Sequence, residues 1–212
     1  MYDNIEKGQF GFPMMAQILP EMEHGEAKLV HHVITEEALS FARLRAAISG
    51  DWTSRGLRAG TYAVLKVKGQ GTVMSDTWIE RHTNLEIVKQ AKGNVLIGGL
   101  GLGLILTVIL DKPEVESVTV LEKSADVISM IAPYFQHPKL TVIQADVFTW
   151  KPTHKYQCIY MDIWPEINVD NCDDIAKLNR KYSPWVDRTN GHFIGCWMQD
   201  TLRSLKRQGR WR

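Results

Sequence analysis

The sequence predicts an α/β fold in which helices cover both faces of a doubly wound, mainly parallel sheet. Two observations carry this prediction. From residue 94 onward, short apolar runs alternate strictly with helical segments, whereas the residues before 94 hold a β-hairpin pattern. Runs rich in Val and Ile that are separated by helices are typical of parallel strands buried on both faces and joined by right-handed crossovers. We therefore expect a sheet of strand order 3-2-1-4-5 after a smaller N-terminal extension.

The extension is predicted over residues 1–76. Thr35 is a capping residue before a segment with apolar side chains at near-helical spacing, and Gly69-Gln70-Gly71 is a hairpin signal between two alternating runs. The expected elements are an irregular arm or first short strand over 1–25, a strand over 27–35, a helix over 36–48, and hairpin strands over 61–69 and 72–76.

The larger domain is predicted over residues 77–212 and begins with a helix that reaches residue 91. Its strands are expected at 94–98, 117–122, 139–146, 157–162 and 192–198. Its later helices are expected at about 102–111, 124–134, 170–182 and 200–209.

Composition excludes several classes of protein. A formal net charge of +1 gives no general attraction to nucleic acid or anionic lipid, so neither partner is indicated. Three cysteines without a CxxC spacing and an N-terminus without a signal-peptide pattern predict a reduced, cytoplasmic setting. The apolar runs fall short of a membrane span, and the histidines show no metal-binding spacing. The basic residues of 206–212 are interpreted as a solvated helix end.

A glycine-rich loop follows the first strand of the larger domain, at Gly98-Gly99-Leu100-Gly101-Leu102-Gly103. In open α/β sheets, ligands bind beyond the carboxyl ends of the strands, where the strand order reverses. Alternate glycines let the backbone turn tightly and approach a ligand closely, and the next helix offers free N–H groups. The loop therefore indicates a nucleotide site, with a turn selected only for packing as the alternative.

Acidic residues end the next two strands. Glu122 lies 23 residues after Gly99, where a carboxylate can accept hydrogen bonds from both hydroxyls of a ribose. Asp146 can accept from an adenine amino group, with Val147 and Phe148 beside the ring. The alternatives are a solvated strand-end charge for Glu122 and a helix cap for Asp146.

The loop disfavours a dinucleotide. The G-x-G-x-x-G fingerprint places a third glycine or alanine where this chain has Leu104, so NAD is the minor alternative. The sequence has no GxxxxGK[ST], G-x-S-x-G or HExxH motif, which leaves ATP hydrolysis, serine hydrolysis and zinc chemistry without support.

Four motifs stand in order within about residues 60–165: VLIGGLGLGLIL, VTVLEKSADVI, LTVIQADVFTW and YQCIYMDIWPE. In these motifs the chain resembles the class I S-adenosylmethionine-dependent methyltransferase superfamily, and specifically its spermidine-synthase-like branch. The resemblance implies a Rossmann-like fold, S-adenosylmethionine as cofactor and transferase activity. The residues it implies for cofactor binding are Gly98, Gly99, Gly101, Gly103, Glu122, Lys123, Asp146, Val147 and Asp162.

The chain departs from that branch in two motifs. Leu100 and Leu102 stand where the glycine loop of aminopropyltransferases carries an acid, and Asp162 is followed by Ile-Trp-Pro-Glu rather than by an Asp-Pro ending. Methyl transfer is therefore predicted ahead of aminopropyl transfer from decarboxylated S-adenosylmethionine. Strands six and seven of methyltransferases have no counterpart here. A homodimer could cover the exposed core, or the chain could be a non-catalytic binding subunit of the same fold.

Asp162 is the predicted catalytic residue, because it follows a buried strand at the cofactor edge and can orient or deprotonate an acceptor. The alternative is a cap on the next turn. The acceptor is expected to be a small molecule or to bear an amine, which an aromatic face also attracts when cationic. The residues predicted on the acceptor side are Asp76, Trp78, Glu80, Trp164, Pro165 and Glu166; for the first three, a helix cap with its first turn is the alternative.

Overall fold

The computed structural model describes residues 8–50, 56–189 and 191–209. In these residues the chain forms two β-sheets, of four and five strands. Residues 1–7 of the expected arm and 210–212 of the basic tail lie outside the described part. Within that part, no helix is both long and apolar enough to cross a bilayer.

The first sheet is antiparallel, in the order β1-β2-β3-β4. The predicted hairpin is present, with Gly69 and Gly71 both at φ +79° in its turn. Helix α1 connects β2 to β3, and the Thr35 side chain caps it by accepting from the N–H of Ala38 at 3.1 Å. The bounds are β1 Met22–His24, β2 Ala27–Ile34, α1 Glu36–Ser49, β3 Gly60–Val67 and β4 Gly71–Ser75.

The second sheet is fully parallel, in the order β7-β6-β5-β8-β9. Counted along the chain this is the predicted order 3-2-1-4-5, which confirms the α/β fold class. Its strands are β5 Gly93–Gly98, β6 Val115–Glu122, β7 Leu140–Gln144, β8 Cys158–Met161 and β9 Phe193–Cys196. The helices are α2 Trp78–Thr83, α3 Leu85–Gln90, α4 Leu106–Ile109, α5 Ala125–Ile131, α6 Asn171–Tyr182 and α7 Gln199–Arg207.

Two predicted helices differ in the structure. The segment 77–91 is two helices rather than one, since Asn84 leaves the helical region at φ −93°, ψ 3° and its side-chain Nδ2 donates to the Glu80 carbonyl. An Asn that bonds nearby backbone competes with the helix. Helix α4 is four residues long rather than spanning 102–111, because Gly103 at φ +70° keeps the preceding backbone out of the helical region.

The hydrophobic core lies on both faces of the parallel sheet. On one face Val95 and Ile97 of β5 pack in the same buried cluster as Leu29 and Leu65 of the antiparallel sheet. On the other face the buried side chains of α6 and α7 pack against β8. The antiparallel sheet is thus held against the parallel one by a continuous core, and a domain boundary between residues 76 and 77 stays a prediction.

Candidate functional site

A cavity of about 510 Å³ opens at the carboxyl ends of β5, β6, β7 and β8. This volume lies in the range of small-molecule sites. Eleven of the residues predicted from the sequence line it: Gly99, Gly101, Gly103, Glu122, Lys123, Asp146, Val147, Asp162, Glu80, Trp164 and Pro165.

The glycines of the loop lie so close to neighbouring residues that they leave no room for side chains of their own. Gly99, Gly101 and Gly103 all have positive φ, at +94°, +52° and +70°. A Cβ on Gly99 would lie 2.0 Å from the backbone oxygen of Asp162. The loop therefore needs glycine both for its conformation and for its close approach to the end of β8. Gly98, which was predicted to bind the cofactor, is buried and lies outside the cavity lining.

Glu122 connects β6 to the glycine loop. Its Oε2 accepts from the N–H of Leu100 at 2.9 Å, and its Oε1 accepts from the N–H of Ser124 at 2.8 Å. An ionised carboxylate offers about four acceptor positions, so about two remain after these bonds. The carboxylate is thus held rigidly at the cavity wall with capacity to accept two further hydrogen bonds.

Asp146 is a second fixed acceptor in the cavity wall. Its Oδ1 accepts from the N–H of Phe148 at 2.8 Å, and its Oδ2 lies 3.0 Å from Nζ of Lys123. The backbone hydrogen bond, then the lysine, holds the pKa of Asp146 below its usual range. Lys123 is 79% exposed, so this ion pair adds little stability. Asp146 is therefore an ionised acceptor beside the apolar Val147.

Two acids that influence each other electrostatically, Asp162 and Glu80, also line the cavity. Burial raises the pKa of Asp162 to about 7, although a hydrogen bond with the Asn84 side chain lowers it. Burial, then the nearby charge of Asp162, raises the pKa of Glu80 well above its usual value. Like charges this close do not both ionise readily, so the pair holds a proton near neutral pH. Such a pair can bind a cation or take up a proton.

Asn84 and Tyr160 support this acid pair, and sequence reasoning missed both. Asn84 is fully buried, and its Oδ1 has no hydrogen-bond partner among the described residues. Tyr160 is 3% exposed, and burial, then the charges of Asp162 and Glu80, raises its pKa. The sequence signal for Asn84 was a polar residue in the middle of an expected helix. Tyr160 gave no signal, because it lies in an apolar run that was interpreted only as a buried strand.

Three residues predicted on the acceptor side lie elsewhere. Asp76 is fully buried and accepts from the N–H groups of Met15 and Ala63, each at 2.8 Å, so it anchors the N-terminal arm. Trp78 stacks on His82 with ring centroids 4.8 Å apart. Glu166 is exposed and does not line the cavity. The alternative of a structural role therefore fits Asp76 better than substrate contact.

The antiparallel sheet contributes one wall of the cavity, which the sequence did not indicate. Leu65, Val67, Gln70 and Val73 line it from β3, β4 and their turn. Met74 reaches furthest, because its Sδ accepts from the N–H of Leu102 at 3.2 Å. The alternating apolar pattern of these strands predicted that the sheet has one apolar face. It did not predict that this face covers the cavity.

Comparison with known proteins finds only distant structural similarity, with TM-scores below 0.5 for the three structures named below. No protein-family model and no curated protein matches the chain. Among solved structures it is similar to the 23S rRNA methyltransferase ErmE, at 22% identity over 50% of this chain and 43% of that chain, with a TM-score of 0.40. It is similar to DhpI in complex with SAH at 18% identity, 70% and 62% coverage, and a TM-score of 0.42. It is similar to the N-methyltransferase NodS from Bradyrhizobium japonicum WM9 at 15% identity over 59% of this chain and 79% of that chain, with a TM-score of 0.42. The chain thus spans less than two thirds of the first two structures.

Proposed function

We propose that this chain is an S-adenosylmethionine-dependent methyltransferase that acts on an amine-bearing small molecule. One observation carries the proposal: a single cavity is lined both by the glycine loop, Glu122 and Asp146 and by the acid pair of Glu80 and Asp162. A nucleoside and a reacting group can therefore be held together in one enclosed space.

Glu122 and Asp146 fit the adenosyl group by their hydrogen-bonding capacity. Glu122 keeps free acceptor positions for the two ribose hydroxyls after its bonds to Leu100 and Ser124. Asp146 is ionised and can accept from the adenine amino group, with Val147 against the ring.

The acid pair of Asp162 and Glu80 fits an amine. When bound, S-adenosylmethionine supplies an electrophilic methyl group on a sulfonium. An ionised Asp162 orients the acceptor nitrogen and takes its proton, while Glu80 carries the proton that the pair already holds. Trp164 and Pro165 line the same region and exclude water from it.

Calorimetric titration of the purified chain tests this proposal with S-adenosylmethionine, S-adenosylhomocysteine and decarboxylated S-adenosylmethionine. Micromolar binding of the first two is expected, with loss of binding in Glu122→Ala and retention in Glu116→Ala, an exposed acid at the opposite end of the same strand. Preference for the decarboxylated compound would replace methyl transfer by aminopropyl transfer. Absence of binding to all three would refute the cofactor assignment.

The narrower predictions depend on the same experiment. Membership of the spermidine-synthase-like branch gains support if a polyamine binds together with the decarboxylated compound. A non-catalytic binding subunit would bind the cofactor but would transfer no methyl group to any amine in a screen. A cytoplasmic location stays a prediction.

A further inference from the structure

Asn84 is a buried polar side chain that contacts the residues of both cavity acids. It is fully buried and lies four residues after Glu80, at the end of α2, so the two side chains project from neighbouring positions on one helix face. Its Nδ2 donates to the Glu80 carbonyl at 3.0 Å. The same side chain hydrogen-bonds the Asp162 carboxyl. One amide therefore connects α2 to the residue that follows β8.

The Glu80 carbonyl fixes the orientation of this amide. A carbonyl oxygen can only accept, so the end of the Asn84 amide that faces it is the nitrogen. The nitrogen carries two N–H groups, one for this carbonyl and one for the Asp162 carboxylate. The amide oxygen Oδ1 is buried as well, and it has no hydrogen-bond partner within the described part of the chain.

A purely structural role does not account for the unpaired oxygen. The backbone N–H of Asn84 also donates to the Glu80 carbonyl, at 3.1 Å, so the end of α2 keeps a hydrogen bond without the side chain. A buried acceptor without a donor destabilises the fold, and an apolar side chain of the same shape would avoid that loss. A protonated carboxyl group is such a donor, and the acid pair holds a proton near neutral pH.

We propose that Asn84 is a positioning residue that decides which of the two acids carries the shared proton. Its N–H donates to an ionised Asp162, and its Oδ1 accepts from the protonated carboxyl group of Glu80. Both hydrogen bonds favour the same distribution, with the charge on Asp162 and the proton on Glu80. The inference rests on the proposed function, because this distribution leaves Asp162 able to take the proton of an acceptor amine.

The other titratable groups near the pair do not replace Asn84 in this role. Burial raises the pKa of Cys196 on β9 to about 12, although the charge of Arg203 lowers it. Burial, then the charges of Asp162 and Glu80, raises the pKa of Tyr160 on β8. Both side chains are therefore neutral near pH 7. Among the described residues, the Asn84 side chain is the group that lowers the pKa of Asp162.

Titration of the carboxyl groups by NMR tests the proposal without cofactor or acceptor. The full chain is labelled with ¹³C at the side-chain carboxyl carbons, and Asp162→Asn and Glu80→Gln assign the two signals. In the wild type, Glu80 is expected to stay protonated at pH values at which Asp162 is already ionised. Asn84→Leu is expected to raise the titration midpoint of Asp162 by about 1–2 pH units and to lower that of Glu80, because a hydrogen bond to a charged group is lost.

Asn179→Leu is the matched control. The Asn179 side chain donates to the carbonyl of Ile175, also four residues earlier, at 3.0 Å, and it bonds neither acid. This variant is expected to leave both midpoints unchanged. Unchanged midpoints in Asn84→Leu, or a shift of the Asp162 midpoint to lower pH, would overturn the proposal.

A measurement on the wild-type chain keeps the test independent of whether Asn84→Leu folds. One side-chain N–H signal of Asn84, observed with ¹⁵N labelling, is expected to titrate with the same midpoint as the Asp162 carboxyl group. The reason is that a hydrogen bond to an ionised acceptor weakens when the acceptor is protonated. An Asn84 signal that does not respond to this titration would overturn the proposal.

Calorimetry with S-adenosylmethionine on the same samples separates this inference from the proposed function. Absence of binding together with the expected titrations would refute the cofactor assignment and support the role of Asn84 in the acid pair. Binding together with unchanged midpoints in Asn84→Leu would refute the role of Asn84 alone.

Discussion

At the residue scale, the chemistry of the cavity depends on one pair of neighbouring acids, Asp162 and Glu80. Asp162 follows β8 directly, and its N–H donates to the Gly98 carbonyl at 2.8 Å, which fixes the residue beside the glycine loop. Glu80 reaches the same place from α2. The two carboxyl groups come from different elements, and the charge of Asp162 raises the pKa of Glu80. One of them therefore stays protonated near neutral pH, and the other can take the proton of an acceptor.

Asp162→Asn is expected to remove part of the pH dependence of stability. The pKa of Asp162 is raised from 3.8 to about 7 in the folded chain. The folded state therefore binds this proton more tightly, and its stabilisation is complete below about pH 4 and lost as the pH rises through about 7. Urea unfolding at several pH values should show that wild type loses on the order of 4 kcal/mol more than the variant across this interval. Asp170→Asn, at an exposed position, is the control, and equal slopes in wild type and Asp162→Asn would contradict the assignment.

A second residue-scale prediction concerns the buried Asp76–Arg81 ion pair. Nη2 of Arg81 lies 2.8 Å from Oδ2 of Asp76, and the guanidinium also donates to the carbonyls of Phe12 and Pro13. Arg81→Met leaves a buried, unpaired carboxylate and is expected to lower the free energy of unfolding by about 3–5 kcal/mol. Arg203→Met, in an exposed pair with N···O at 3.7 Å, should change it by less than about 1 kcal/mol. Chemical denaturation measures both, and similar losses would refute the anchoring role.

At the element scale, the glycine loop is a single conformational unit between β5 and α4. Gly99→Ala would bring a Cβ to 2.0 Å from the Asp162 carbonyl oxygen, a contact that only a backbone shift can relieve. We expect this variant to lose at least roughly tenfold in affinity for S-adenosylmethionine, since the loop must move out of position. Gly50→Ala has similar left-handed strain at φ +70° with no atom within 4 Å of the added Cβ, and calorimetry should show normal affinity. Normal binding by Gly99→Ala would contradict this geometry.

The periodicity of apolar residues predicted the strands and helices that are evenly buried. It did not predict the boundaries of helices that a single residue interrupts. The central strands β5, β6 and β8 were predictable, because most of their residues are buried and short apolar runs have few other stable arrangements. The break between α2 and α3 was not, since it depends on the buried Asn84 bonding to the Glu80 carbonyl. The late start of α4 was also not predicted. It depends on the positive φ of Gly103, and the sequence pattern does not show that this glycine adopts it.

At the scale of the whole molecule, the site depends on both sheets. The parallel sheet brings Glu122, Asp146 and Asp162 to one edge, and this was predictable because the carboxyl ends of parallel strands meet there. The cavity wall from the antiparallel sheet was not predictable. Its contact through Met74 joins residues 28 positions apart, and no local pattern encodes such a contact. The N-terminal extension is therefore part of the candidate site rather than a separate appendage.

Met74→Ala tests this contribution of the antiparallel sheet. Loss of the side chain opens the wall and leaves the Leu102 N–H without its sulfur acceptor, so affinity for S-adenosylmethionine is expected to fall about tenfold. Met74→Leu keeps most of the apolar volume and should lose less. Calorimetric titration distinguishes the two variants. Unchanged affinity in Met74→Ala would show that this wall does not bind the cofactor.

The most direct test of the central claim is a crystal structure of the chain with S-adenosylhomocysteine. The ribose hydroxyls are expected at hydrogen-bond distance, about 2.5–3.0 Å, from the Glu122 carboxylate, with the adenine beside Val147 and the sulfur directed toward Asp162. Electron density for the ligand outside this cavity, or with its ribose away from Glu122, would contradict the account.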